Sequence, residues 1–235
     1  MKLMLTVLLT VLAGASGWIL AQDGGSGPNG GTRRPLDLPS GGQGDDEEDE
    51  DAPESIQFYG SEYEGDAFFW CLDKSCSMGW SGGAPLATLK QEMTNAVNQL
   101  SRRAEFSIVA FNTNYTVWSE APKRATVGAK SSAISFISNM MADGTTCLAA
   151  AAVKTVQISH LCSKRNKAVI IVGDGVPECP PPYTSEQGAQ ALSDINGANY
   201  EHVPIHTIFI SASEQGIQLM QQIAAANNGT FTLVN

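Results

Sequence analysis

Large apolar side chains recur from residue 67 onward in two alternating periods. Residues 67–72 (AFFWCL) form a continuous apolar run, the mark of a strand covered on both faces. Residues 85–103 follow with Leu86, Leu89, Met93, Ala96, Val97 and Leu100 at helical spacing, and Pro85 suits a first helical turn. Strand patterns return at 105–111 (EFSIVAF) and 115–119 (YTVWS), and the tight Asn-Thr-Asn turn between them predicts an antiparallel hairpin. Helices over 129–141 and 148–161 precede a second continuous apolar run, 168–172 (AVIIV). A helix over 185–200, a strand over 204–210, a helix over 214–227 closed by Asn228-Gly229, and a strand over 230–234 complete the pattern. Alternation of this kind predicts an α/β architecture: a Rossmann-like, mostly parallel six-stranded sheet with one antiparallel edge strand and helices on both faces. Residues 56–66 read only as a lead-in to the first strand. Ligands of such sheets bind beyond the carboxyl ends of the strands, where strand order reverses.

The first quarter of the chain has a different character. Residues 1–21 read as an export signal, with Lys2 ahead of an apolar core at 4–13 and small residues after it. If uncleaved, residues 4–21 would be an N-terminal membrane anchor; no other stretch is long and apolar enough to cross a bilayer. The expected location is therefore secreted or extracytoplasmic, with no membrane span in the mature chain. Residues 22–55 are rich in Gly, Pro, Ser and acids and read as a disordered tether. That leaves 56–235 as one folded domain, which suits a chain of 235 residues with 43% hydrophobic content. The formal charge of -10 argues against nucleic acid as a partner, although seven acids sit in one run at 45–51 (DDEEDED).

Asp73 ends the first apolar run, and Ser75 and Ser77 follow at every second residue. An Asp and two hydroxyls on one short loop are oxygen ligands of the kind hard cations take. Such a stretch is also an ordinary polar loop. Two further stretches fall on loops that could reach the same edge: 143–148 (DGTTCL), which opens a helix, and Gly173-Asp174-Gly175 after the buried strand. Ser and Thr also cap helices and Asp-Gly makes turns, so Thr146 could serve as the cap of the helix that follows it.

Taken together, these three stretches resemble a von Willebrand factor type A (VWA) domain with a metal-ion-dependent adhesion site. That family's pattern is Asp-x-Ser-x-Ser after the first strand, a Thr opening a helix, and Asp-Gly after the fourth strand; Asp73, Ser75, Ser77, Thr146 and Asp174 stand at those positions. Ala225, Gly229 and Phe231 match its usual ending, and the resemblance covers 66–235. It implies a bound Mg2+, with Mn2+ or Ca2+ as alternatives, held by the five oxygen ligands and left open to an Asp or Glu of a protein partner. It implies no catalysis. Thr145, at the rim, would touch the partner; Trp80, in the flexible Gly79–Gly83 loop at the rim, would touch it too or pack on its own domain. The acids at 45–51 would have the reach to occupy the open position in cis, or would only keep the tether solvated. Cys76 and Cys147 depart from the small and polar residues usual at their positions, Thr145 replaces a Gly, and Gly173 replaces a hydroxyl residue. Cys76, Cys147 and Cys179 all fall on loops near the implied metal, where a disulfide between two of them would staple the rim; Cys71 and Cys162 read as buried thiols.

Two rival readings carry their own residues. Gly79-Trp80-Ser81-Gly82-Gly83 matches the nucleophile elbow of a secreted serine hydrolase, with His202 or His206 as partner. The elbow needs its Ser directly after a strand, and Ser81 stands eight residues past Asp73. The other reading is a scaffold domain whose metal is purely structural.

Overall fold

The computed structural model describes residues 53–234; the leader at 1–21 and the acids at 45–51 lie outside the described residues. The described part starts with a hairpin where the sequence suggested a plain lead-in. β1 (Glu54–Phe58) and β2 (Ser61–Gly65) pair antiparallel around Tyr59 and Gly60, whose φ values are 50° and 72°. Two residues at positive φ make the turn whose twist matches its flanking strands, and Asn-Gly is its usual signature. Tyr in the first position hid the turn. The period of two is present nonetheless: Ile56, Phe58 and Tyr63 are buried while Ser55, Gln57, Glu62 and Glu64 face solvent. β1 begins at Glu54, so the last residues assigned to the tether belong to the hairpin.

The main sheet contains β3 (Ala67–Asp73), β4 (Glu105–Phe111), β5 (Tyr115–Val117), β6 (Lys123–Arg124), β7 (Lys167–Gly173), β8 (Ile205–Phe209) and β9 (Phe231–Leu233). Its order is β5-β4-β3-β7-β8-β9, parallel throughout except for the antiparallel edge strand β5. The sheet has seven strands where six were expected, because the two-residue β6 also pairs antiparallel with β4. Lys123 and Arg124 carry no apolar signal that would have marked them as a strand.

β3 shows why its sequence is apolar without alternation. Phe68, Trp70 and Leu72 join one core with β1, β2, α1 (Trp80–Gln99) and α2 (Val127–Ser138). Phe69 and Cys71 join a second core with α3 (Leu148–His160), α4 (Ser185–Ala198) and α5 (Glu214–Ala226). Trp70 meets Phe58 and Phe106 edge-on and stacks on Phe68, with ring centroids 5.9–6.4 Å apart. Each such fully buried large side chain contributes about 2–3 kcal/mol of transfer free energy.

The helix after β3 covers one face of the sheet and α3, before β7, covers the other. Strand order therefore reverses at the carboxyl end of β3, where Asp73 stands. This is the position at which open α/β sheets bind ligands. At the far end of the chain, Asn228 (φ 53°) and the bond from Gly229 N–H to Ala224 O (3.0 Å) close α5 as the sequence predicts. A Cβ on Gly229 would fall 1.9 Å from the Ile205 carbonyl oxygen, so close packing against β8 also requires glycine there.

Candidate metal centre

β3 and β7 run in parallel register, Leu72 opposite Val172, so Asp73 and the Gly173-Asp174-Gly175 turn emerge side by side. Asp73 Oδ1 accepts the Ser75 N–H at 2.7 Å, which turns the loop back on itself. The Ser75 and Ser77 hydroxyls lie 3.1 Å apart, and Ser77 Oγ donates to Asp174 Oδ1 at 2.7 Å. These bonds link four of the five sequence-predicted ligands in one chain.

The third loop is drawn in by backbone hydrogen bonds. Cys76 N–H donates to Gly144 O (3.0 Å), Asp143 N–H to Lys74 O (3.0 Å), and Cys147 N–H to Asn112 O (2.9 Å). Gly144 has φ 74°, and a Cβ there would lie 2.5 Å from Thr113 Oγ1. The loop delivers Thr146 to the turn after β7: a Cβ on Gly175 would be 3.0 Å from Thr146 Oγ1. Thr146 is not the cap of α3, since Cys147 holds that position and makes no side-chain capping bond. Asp73, Ser75, Thr146 and Asp174 are all buried.

Burial dominates the electrostatics. It pushes the Asp73 carboxyl up to about 7, with the nearby Asp174 charge adding to the rise and the bonds from Ser75 and from the Asp174 backbone opposing it. Burial also raises Asp174, against the bond from Ser77. Asp73 Oδ2 is buried without a hydrogen-bond partner. It faces Gly173, where a Cβ would sit 3.1 Å away, so a residue with no hydroxyl stands beside it. An unsatisfied buried carboxylate oxygen costs about 1–3 kcal/mol or more. Two carboxylates and three hydroxyls at the same edge form an all-oxygen donor set that fits a hard divalent cation and would remove that cost. Among the described residues no cluster of three or more His, Cys, Asp or Glu side chains offers an alternative metal site.

The cysteines divide as follows. Cys147 and Cys179 are bonded, with Cα atoms 5.1 Å apart, and tie the loop of Thr146 to the loop of Asp174. Cys76 is an exposed free thiol, whereas Cys71 and Cys162 are buried and free. Trp80 is 69% exposed. Thr145 turns toward the β4–β5 turn: its N–H donates to Thr113 Oγ1 at 3.0 Å, and its own hydroxyl lies 3.2 Å from that oxygen. Met141 is 77% exposed: the spacing predicts a helix over 129–141, but α2 stops at Ser138 and leaves Met141 in the loop that follows. Its neighbour Ala142 lies against Gly79, which places Met141 beside the Trp80 loop.

Ser81 does not have the setting of a nucleophile elbow. A 3-10 turn, Cys76–Gly79, separates it from β3, and it lies in a left-handed stretch with Gly82 and Gly83 (φ 53°, 72° and 84°). His206 is engaged elsewhere, with Nδ1 2.9 Å from the Thr230 hydroxyl.

The family model for the von Willebrand factor type A domain matches residues 72–233. No curated protein matches the chain. Among solved structures, a von Willebrand factor type A protein from Catenulispora acidiphila is 18% identical at a TM-score of 0.62, covering 78% of this chain and 46% of its own. The PilB minor pilin from Streptococcus sanguinis is 12% identical at 0.56, covering 77% and 57%. The vWF domain of the type V pili tip protein Mfa5 from Porphyromonas gingivalis is 10% identical at 0.59, covering 77% and 90%. The chain thus spans about half the length of the first two. At these identities the likeness is one of fold.

Proposed function

Because the chain belongs to the von Willebrand factor type A family, we propose that its five-oxygen edge is a metal-ion-dependent adhesion site that binds a protein partner. The observation that carries this reading is Asp73 Oδ2, a buried carboxylate oxygen with no partner beside four other oxygen ligands. Asp73, Ser75, Ser77, Thr146 and Asp174 would hold the cation; Mg2+ suits an oxygen set with only two carboxylates, with Mn2+ and Ca2+ as alternatives. When bound, the cation would supply a coordination position flanked by neutral hydroxyls that is open to an Asp or Glu oxygen of the partner.

The residues of this chain do the rest. Ser75 N–H fixes the rotamer of Asp73, and Ser77 fixes that of Asp174. The Cys147–Cys179 bridge sets the spacing of two ligand loops. Trp80, exposed at the rim, gives the partner an apolar contact beside the carboxylate, and Thr145 borders the same edge. The names of the matched pilus proteins, among them a pili tip protein and a pilus adhesin from Lactobacillus rhamnosus, support an adhesive, secreted or extracytoplasmic, non-catalytic role. Among the described residues no helix is long and apolar enough to cross a membrane.

The test is binding of an immobilised Asp- and Glu-containing peptide library to the full chain. The reading expects binding in Mg2+ that is lost in EDTA and in Asp73→Ala. A metal held only for structure would show Mg2+ uptake and no metal-dependent peptide binding, and that result would refute the adhesive reading.

A further inference from the structure

A groove of about 640 Å³ runs between α4 and α5, and none of the five proposed ligands lines it. Its lining carries amides and hydroxyls and no charged side chain, in a chain whose formal charge is -10. Gln215, Gln218 and Gln222 recur at i, i+3 and i+7 on α5 and are exposed. Ser193 and Asn196 face them from α4, and Tyr183 stands at one end. Leu192 and Leu219 add apolar surface between the polar groups.

Tyr183 owes its place to a glycine. A Cβ at Gly188 would lie 2.6 Å from the Tyr183 hydroxyl and 3.4 Å from Cζ, so a side chain there would push the half-buried ring aside. Glycine within a helix is unfavourable relative to alanine. Here it keeps an aromatic ring against the groove.

This lining selects by chemistry. An amide offers a donor and an acceptor side by side, and a hydroxyl is both at once. Neighbouring hydroxyls of a pyranose present the complementary pair, and the C–H face of the same ring packs on aromatic and aliphatic carbon. A phosphate or carboxylate ligand would find no cation in the lining and would meet the bordering carboxylates of Glu214, bonded to Gln218, and Glu186, bonded to Ser185. The α4 wall from Ser185 to Asn196 is about 16 Å long, room for a short run of sugar units. We propose that the α4–α5 groove binds a neutral oligosaccharide, independently of any metal.

The experiment is an NMR titration of the full 15N-labelled chain in EDTA. The probes are chitotriose, cellotriose, maltotriose and mannotriose, each to about 10 mM, which reads dissociation constants into the millimolar range. Sialyllactose and a Gly-Ser repeat peptide serve as charged and peptidic controls. At least one neutral trisaccharide should saturably shift the side-chain amides of Gln215, Gln218 and Gln222. The Gln218→Ala/Gln222→Ala pair should weaken that binding by about tenfold or more. Gly188→Ala, which displaces the Tyr183 hydroxyl, should weaken it severalfold while leaving the rest of the spectrum in place. The proposal is overturned if no neutral saccharide moves these resonances, if the shifts map elsewhere, or if the variants bind as the parent does. It is equally overturned if the peptide fills the groove and the sugars do not.

Discussion

Removing the Cys147–Cys179 bridge should destabilise the fold by about 4 kcal/mol. The bridge joins positions 32 apart in sequence. Closing a loop of that size removes about 12 cal/mol/K of entropy from the unfolded chain, or about 3.7 kcal/mol at 25 °C. Little of this is offset in the native state. Cys179 is exposed, whereas Cys147 is buried, so a serine there adds the cost of a buried hydroxyl to the entropic loss instead of offsetting it. For a domain of this size the expected fall in Tm is about 8–15 °C. The comparison is Cys147→Ser/Cys179→Ser against the parent, both in a Cys76→Ser background so that the free thiol cannot exchange into the bridge. Urea unfolding followed by circular dichroism should show a lower midpoint, and reductant should move the parent toward the variant. A stability within about 1 kcal/mol of the parent, well short of the 2–4 typical of a disulfide, would show that the bridge does not restrict the unfolded chain.

Three further outcomes follow from the geometry. Gly229→Ala drives a Cβ to 1.9 Å from the Ile205 carbonyl oxygen; a loss of about 2–3 kcal/mol is expected, and an unchanged melt would contradict the packing of the α5–β9 turn on β8. Thr230 N–H donates to His206 Nδ1 at 3.1 Å, so that nitrogen is an acceptor and the ring is neutral; burial lowers its pKa. The unfolded chain takes up that proton near pH 6.5 and the folded chain does so only at lower pH, so stability present above pH 6.5 is lost as pH falls toward the folded value. His206→Gln should flatten the part of the slope that sets in as pH falls below about 7, and parallel parent and variant profiles in urea unfolding would disprove it. Trp80→Ala should leave the melt within about 0.5 kcal/mol, as expected of an exposed residue, yet weaken Mg2+-dependent peptide capture; equal capture would remove Trp80 from the contact surface.

The sheet was legible because its central strands are buried on both faces. Residues 67–72 and 168–172 have no polar alternation to misread, and the helices between them repeat at 3.6. The hairpin β1–β2 was lost because its turn is Tyr59-Gly60, and because Ile56, Phe58 and Tyr63 are too few to stand out at period two. β6 pairs through backbone alone, which sequence patterning cannot register. At the site, the residue types and their loops could be read from motif order. Which two cysteines pair could not, since three lie near one edge and only the loop paths bring Cys147 and Cys179 together. Nor could the roles of Gly173 and Gly175, which depend on where the Asp73 and Thr146 oxygens come to rest.

Mg2+ calorimetry on the full chain asks whether Asp73 and its neighbours hold a divalent cation. Because burial raises Asp73 to about 7, the titration belongs at about pH 8, where the carboxylate is ionised and protons compete least. Without the cation, that raised value makes the ionised Asp73 a destabilising charge above pH 7, so Asp73→Ala should remain folded in EDTA. Saturable binding of one ion by the parent is expected, weakened by about tenfold or more in Asp73→Ala and Asp174→Ala with circular dichroism unchanged. A folded Asp73→Ala variant that takes up Mg2+ as the parent does would contradict the account.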